Sequence, residues 1–406
     1  MKTKLFKLLP LILAALMLIS CRPSEPHEEE PPRVTETPEA SYTVSHMIRY
    51  WPEEASYDTC DYACTVQLPV FSKEHASGYA MNAAVDAYLE SLAARIETQY
   101  MRDASQKPPY TEVTFEHSSA NGVTNVLFRE KHSWDTEPYS ETHVLMLNER
   151  GARIGINDVF LNYHADERAA EIISKRLEDD PRFPAKSKEE LMPFIDAREG
   201  VCAIENGARI YVRRGGIAPL QEGELAFDIE FSELLPEIFG ECELDMEQYR
   251  GLVMLLRDVS DSAVVRMENI ENGSASPYTA TAFMARAVRR LGILPKAGRT
   301  AVPQKEFEAL YAACIGGSFP GTDTQAHDIK LENGEYSVSD SVPAFEYNVD
   351  ILSVKREGDT IEIEGDMISG SFGAPDTMFN SHVTVTVEIN PESPYGFRVA
   401  NYMIHM

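Results

Sequence analysis

The chain has 406 residues, 43% of them hydrophobic and 25% charged, which are the proportions of a folded globular protein rather than a disordered or membrane-spanning one. A formal net charge of −28 at pH 7 opposes binding to nucleic acid or to an anionic lipid face, and suits a solvated protein that meets cations or a basic partner. This length accommodates two or three domains of ordinary size.

Lys2, Lys4 and Lys7 precede an apolar run that starts at Leu8 and ends in Leu18-Ile19-Ser20-Cys21. A basic head, a short apolar body and a small residue at the cut are the marks of a secretory signal. The run is too short to span a bilayer, which takes about 20 apolar residues. Its last four residues resemble a bacterial lipoprotein lipobox: Leu, a variable residue, a small residue, Cys. The resemblance implies that residues 1–20 are a signal peptide and that Cys21 carries a diacylglycerol thioether. The protein is then expected at the cell membrane, lipid-anchored on its extracytoplasmic face. Residues 21–41 read as a tether, with Pro23, Pro26, Pro31, Pro32 and Pro38 among Glu25, Glu28, Glu29, Glu30, Glu36 and Glu39. Like charges and low hydrophobicity keep such a segment unfolded, and the prolines stretch it toward about 3 Å per residue.

Beyond Cys21 the cysteines are Cys60, Cys64, Cys202, Cys242 and Cys314, an odd number. Cys60 and Cys64 could close a small loop through Asp61-Tyr62-Ala63, or stay as small apolar residues. Within a regular strand they would lie too far apart to bridge. No second Cys pair and no His pair occurs at ligand spacing, so neither a metal site nor a cofactor is expected.

Residues 42–240 read as a first α+β domain. Thr43–Tyr50 and Tyr62–Phe71 have strand character, and Ser72 is placed to cap a long helix striped by Met81, Val85, Tyr88, Leu92 and Ile96. Glu112–Ser119 and Val123–Lys131 flank Asn121-Gly122, the pair best suited to a two-residue hairpin. A further strand, Tyr139–Asn148, turns at Glu149-Arg150-Gly151 into Ala152–Ile156. Helices follow at Asp166–Asp179 and at Ser187–Ala197, the second opened by Ser187 and Glu190 in capping-box spacing.

The segment Leu145–Phe160 combines a strand, a Gly turn, a second strand and an Asp-Val-Phe helix start. Ile210-Tyr-Val-Arg-Arg-Gly-Gly-Ile-Ala-Pro-Leu-Gln-Glu-Gly223 then leads into Leu225–Phe231 and Ser232-Glu-Leu-Leu235. Together these resemble a family of bacterial extracytoplasmic domains that includes the ectodomain of the lysozyme-sensing anti-sigma factor RsiV and a non-catalytic part of certain peptidoglycan deacetylases. The resemblance runs from about Tyr42 to Gly240 and implies helices packed over an antiparallel sheet. Members carry a Gly-Gly-Ala-His segment where this chain has Ser133-Trp-Asp-Thr-Glu-Pro-Tyr-Ser140, so nothing that loop binds elsewhere carries over. Lysozyme binding belongs to one branch and is not implied.

Residues 241–406 read as a second domain. Helices are expected over Glu247–Arg257, on a stripe of Phe283, Ala287, Val288 and Leu291 ending at Gly292, and from Pro303, burying Phe307, Leu310, Tyr311 and Cys314. An antiparallel meander follows over Glu335–Asp340, Phe345–Arg356, Thr360–Ile368, His382–Ile389 and Phe397–His405. A helix before such a meander has the pattern of a cystatin-like or nuclear-transport-factor-like shape, a comparison that says nothing about ligand. The fold class expected overall is α+β, with helices packed on antiparallel sheets in two domains.

No sequence motif with a known mechanism occurs, and the ten His are scattered. His143 and His382 read as strand-face residues. Trp51 and Trp134 lie in expected loops, where a ring either plugs the core or holds a glycan or peptide. Arg213-Arg214-Gly215-Gly216 stands out as a basic spot in an acidic chain, with Gly-Gly backbone able to admit an anion. The expected function is a non-catalytic binding or sensing module for a cell-wall polymer, a peptide or an envelope protein, touching no nucleic acid. Two alternatives stay open: an accessory subunit of an envelope enzyme or signalling system, and a cell-wall hydrolase whose site is assembled only in space.

Overall fold

The structure, a computed structural model, describes residues 41–51, 53–74, 77–99, 110–133, 138–195, 200–217, 222–290, 300–339, 347–372 and 374–405. Cys21, the tether up to residue 40, Trp134, Pro219, Leu291 and Gly292 lie outside them. No helix among the described residues is long and apolar enough to cross a membrane.

Strands β1 (Tyr42–Trp51), β2 (Tyr62–Phe71), β3 (Tyr110–Ala120), β4 (Val123–His132) and β5 (Tyr139–Leu147) form one sheet in chain order. Neighbours run antiparallel except β2 and β3, which are parallel and connected through helix α1 (Gly78–Gln99). The β3–β4 hairpin closes on Asn121 and Gly122, both in the left-handed region, with Ala120 opposite Val123. The expected stripe of α1 is buried in full, Met81 to Ile96 packing on Phe71, Val126, Phe128 and Leu145. The helix starts later than Ser72. A Cβ at Gly78 would collide with the Ser72 carbonyl, so the chain turns there first, and the Ser72 hydroxyl accepts from Glu74 N at 3.3 Å. β1 is an edge strand, with Val44 and Ile48 exposed, Ile48 at 59%.

Two one-turn elements and two longer helices follow: α2 (Ile156–Phe160), α3 (Ala165–Glu178), α4 (Lys188–Ile195) and, after three more strands, α5 (Phe231–Leu234). The strand expected over Ala152–Ile156 shrinks to a bridge between Leu147 and Arg153. At α4 the capping box forms as expected, Ser187 N donating to Glu190 Oε2 at 3.0 Å and Glu190 N to Ser187 Oγ at 3.4 Å. β6 (Val201–Ile204), β7 (Gly207–Val212) and β8 (Leu225–Glu230) make a three-stranded antiparallel sheet.

After a π turn at Glu237–Glu241 come α6 (Met246–Ala263), α7 (Pro277–Arg290), β9 (Thr300–Pro303), α8 (Gln304–Cys314), β10 (Ile329–Glu332) and β11 (Glu335–Val338). The meander is β12 (Tyr347–Glu357), β13 (Thr360–Ser371), β14 (Ala374–Ile389) and β15 (Phe397–His405). It has four strands. Glu335–Val338, read as its first, instead pairs with β9 and β10 in a sheet of its own. Pro303 ends β9 and sits at the N-cap of α8 rather than at its first helical position.

The fold is thus α+β in two domains, as expected, but the packing does not stop at Gly240. One apolar core runs from Val123 on β4 to Tyr402 on β15, through α3, α6, α7 and the meander. The Tyr249 hydroxyl of α6 donates to the carbonyls of Phe160 and Leu161 at 3.1 and 3.0 Å. A smaller core, between α1 and the five-stranded sheet, stands beside it. Cys60 and Cys64 form no disulfide. Cys64 lies inside β2, while Cys60 sits in the turn before it, its thiol donating to Tyr57 O at 3.3 Å.

Candidate functional site

The clearest chemical cluster lies where α1 crosses β4 and β5. Along β4, Val126, Phe128, Glu130 and His132 alternate onto the face that α1 covers, so an apolar row continues directly into an acid and an imidazole. The Glu130 carboxylate is 1% exposed and collects four partners. Oε1 accepts from Tyr88 Oη at 2.9 Å and Arg95 Nη2 at 2.5 Å, both from α1, and faces His143 Nε2 at 3.4 Å. Oε2 faces His132 Nε2 at 3.1 Å.

The two imidazoles are oriented from behind. His143 Nδ1 lies 3.3 Å from Arg95 Nη1 and 3.4 Å from Arg213 Nη2. A guanidinium only donates, so Nδ1 accepts and the ring proton sits on Nε2, toward Glu130. His132 Nδ1 lies 2.8 Å from Thr111 Oγ1, which in turn bonds the Tyr62 hydroxyl. Burial by itself would raise the Glu130 carboxyl. The His132 hydrogen bond, the His143 Nε2–H dipole and the Arg95 charge outweigh it and hold the group down at about 2. Burial, together with the Glu130 charge, pushes the neighbouring Cys64 thiol up to about 12.

The Arg213–Gly216 loop closes over the rim of this cluster by two chains of contact. Arg213 reaches His143, and through it Glu130. Arg214 lies over the Tyr139 ring, 4.7 Å from its centroid, and that ring packs 4.9 Å from His132. Past the loop, Glu224 accepts from Thr142 N and Thr142 Oγ1 at 2.6 and 2.7 Å, so both ends of the excursion are tied to β5. The glycines act differently from the sequence reading. Gly216 N donates to Arg213 O at 3.0 Å, closing the turn rather than facing outward. Gly215 has φ 74°, and a Cβ at Gly216 would press on the Phe194 ring. The two Arg are not the only local cations, since Arg95 joins them at His143. Glu130, Glu141 and His143 also bring one ligand atom each within 4.8 Å of one another. With Arg95 and His132 already on its two oxygens, Glu130 fits a cation there poorly.

On the opposite face of β4, a cleft of about 600 Å³ opens between the end of the β3–β4 hairpin and sheet β6–β8, lined by Ser118, Asn121, Arg129, Arg209 and Tyr211 among others. Arg129 lies 5.5 Å from the Tyr211 ring centroid and donates to Thr142 Oγ1 at 2.6 Å.

Of the other residues marked in the sequence, Trp51 is half-buried edge-on to Tyr62 and ends β1 rather than sitting in a loop. Sequence reading missed Glu130, His132 and Arg95. The signal was present: an acid in step with buried Val126 and Phe128 has to be paired.

No protein-family model matches the chain, and no curated protein matches it significantly. Among solved structures it is weakly similar to a DUF3298 family protein of Pseudomonas aeruginosa PAO1, at 11% identity over 49% of this chain and 94% of that one, with a TM-score of 0.33. A DUF3298 member from Bacteroides fragilis NCTC 9343 is similar at 11% identity over 48% of this chain and 93% of that one, with a TM-score of 0.29.

Proposed function

We propose that the protein is a non-catalytic binding module, lipid-anchored through Cys21 on the extracytoplasmic face, whose ligand is an anionic cell-wall polymer seated on the Arg213–Arg214 rim. The observation that carries this reading is the fixing of both guanidiniums on one buried cluster, Arg213 against His143 and Arg214 over Tyr139. Arginines held in place lose less freedom on binding, and each charge-assisted bond to a carboxylate or phosphate contributes about 1.5–3 kcal/mol. A concentrated positive rim in a chain of net charge −28 also draws an anion to that one place. The lipobox-like Leu18–Cys21, and the resemblance of residues 42–240 to domains of RsiV and of peptidoglycan deacetylases, support the envelope setting.

The buried Glu130 and the buried cysteines supply neither an acid nor a thiolate near neutral pH. Glu130, held down at about 2, has no proton to donate near neutral pH, and burial pushes the Cys64, Cys202 and Cys314 thiols up to about 12, 11 and 12, away from thiolate chemistry. The test is binding of purified anionic wall polymer at low salt to the wild type and to the Arg213→Ala, Arg214→Ala double variant. At least a tenfold loss is expected. Equal affinity, with both proteins folded, removes the rim from the site. Cys21→Ala should in addition shift the protein out of the membrane fraction, and retention there would contradict the anchor.

A further inference from the structure

We propose that the open edge of β1 is a docking site for an extended, basic peptide segment of another protein, which joins the five-stranded sheet as a further strand. The phase of the strand shows which backbone groups are open. Trp51 O accepts from Asp61 N at 2.6 Å and Ser41 O accepts from Ser72 N at 2.9 Å, so the odd-numbered residues of β1 turn their backbone toward β2. In an antiparallel pair the residues between them turn theirs away. Val44, His46, Ile48 and Tyr50 therefore direct their N–H and C=O groups outward, and among the described residues nothing bonds to them.

Other strand edges of the first domain are closed by side chains. On β5, Thr142 N donates to Glu224 Oε1 at 2.6 Å. On β6, Ala203 N donates to Asn125 Oδ1 at 3.0 Å and Ala203 O accepts from Asn125 Nδ2 at 2.9 Å, so one amide side chain copies a strand partner. On β8, Asp228 O accepts from Arg176 Nη1 at 2.7 Å. Native sheets cover or blunt their edges because a bare one accepts a further strand. The β1 edge is bare, and it also carries apolar side chains. Val44 and Ile48 share one face of the strand and are 49% and 59% exposed, a surface for alternate side chains of an incoming segment. Charge selects that segment. Glu53, Glu54 and Asp58 are exposed in the turn that follows β1, in a chain of net charge −28. Arg49, the strand's own cation, stands opposite Cys64 and so belongs to the other face of the sheet. A basic segment is drawn to this edge and an acidic one repelled.

The edge shares no residue with the Arg213–Arg214 rim, so the two sites stand or fall separately. The test is fluorescence anisotropy of a labelled peptide of alternating lysine and valine, titrated with full-length protein in detergent at low salt. The wild type should bind it. A probe methylated at its peptide nitrogens keeps its charge but loses its donors, and should bind at least tenfold more weakly. His46→Pro removes one outward N–H and leaves the bonds to β2 in place, since proline is tolerated on edge strands. It should cost at least tenfold in affinity with an unchanged melting temperature. Ile48→Lys places a like charge on the exposed face and should cost as much, so the site is tested even if His46→Pro fails to fold. The Arg213→Ala, Arg214→Ala double variant should bind the probe as the wild type does. No binding by the wild type, equal affinity for the methylated probe, or unchanged affinity in the folded variants would each overturn the proposal. So would dimerisation of the free protein that His46→Pro abolishes, because the edge would then belong to a second copy.

Discussion

Two buried acids in different halves of the molecule respond to burial in opposite ways. Glu130, in the first domain, is held down at about 2, whereas Asp261 on α6 in the second is pushed up to about 6. Desolvation is the largest influence on both, and it raises both. The partners make the difference. Glu130 meets Tyr88, Arg95, His132 and His143 across three elements, while Asp261 has Arg286 at 3.2 Å, the backbone N–H of Tyr347 at 2.5 Å, and Arg257 acting by charge. A buried carboxylate is stable as a charge only when enough donors converge on it, and otherwise it drifts toward holding a proton. Asp350, with one oxygen orphaned, follows Asp261: burial raises it too.

The comparison can be broken most severely by cutting the chain. The Glu130 cluster uses only residues before Gly240, yet the larger core crosses that point through α6 and the Tyr249 hydroxyl bonds. Residues 42–240 expressed alone should lose a cooperative melt and bind hydrophobic dye strongly. A sharp two-state transition without dye binding would show that the first domain stands by itself.

Next in size is Glu130→Ala. It leaves Arg95 beside two imidazoles with no anion between them, and removing one partner of a buried charge network costs about 3–5 kcal/mol. Urea unfolding measures it, and a loss below about 1 kcal/mol would mean the cluster is much wetter than its 1% exposure implies.

The smallest effect is in the pH dependence, and its sign differs between the two acids. Glu130, lowered from its ordinary 4.5, contributes stability that is present above 4.5 and lost as pH falls toward about 2. Asp261, raised from 3.8, does the reverse: stability declines as pH climbs from 3.8 through about 6. Each contributes a slope of at most about 1.4 kcal/mol per pH unit inside its own window. Glu130→Gln should flatten the profile between pH 2 and 4.5, and Asp261→Asn between pH 4 and 6. If each variant flattened the other's window, the assignment of the two acids would be reversed.

How far the sequence could carry the fold depended on whether the information was local. The α1 stripe, the Asn121-Gly122 hairpin and the Ser187–Glu190 cap were legible because helical spacing, turn geometry and capping each act within a few residues. The four-residue strands β6 and β9 were not, since segments so short show no period. Glu335–Val338 alternates like the meander strands, and only its partners, β9 and β10, place it in another sheet. The candidate site was legible only at its rim. Arg213 and Arg214 stood out by charge, but Glu130, Arg95 and His143 come from three separate elements that meet only after α1 has crossed the sheet.

Strand β1 also bears on how the protein behaves at high local density. An edge strand with Val44 and Ile48 exposed presents open backbone and apolar side chains to any neighbouring copy, the arrangement that seeds edge-to-edge aggregation. Six glutamates occur in the stretch from Glu25 to Glu39 just ahead of it. Charges that flank an aggregation-prone strand in the sequence disfavour its pairing with a second copy.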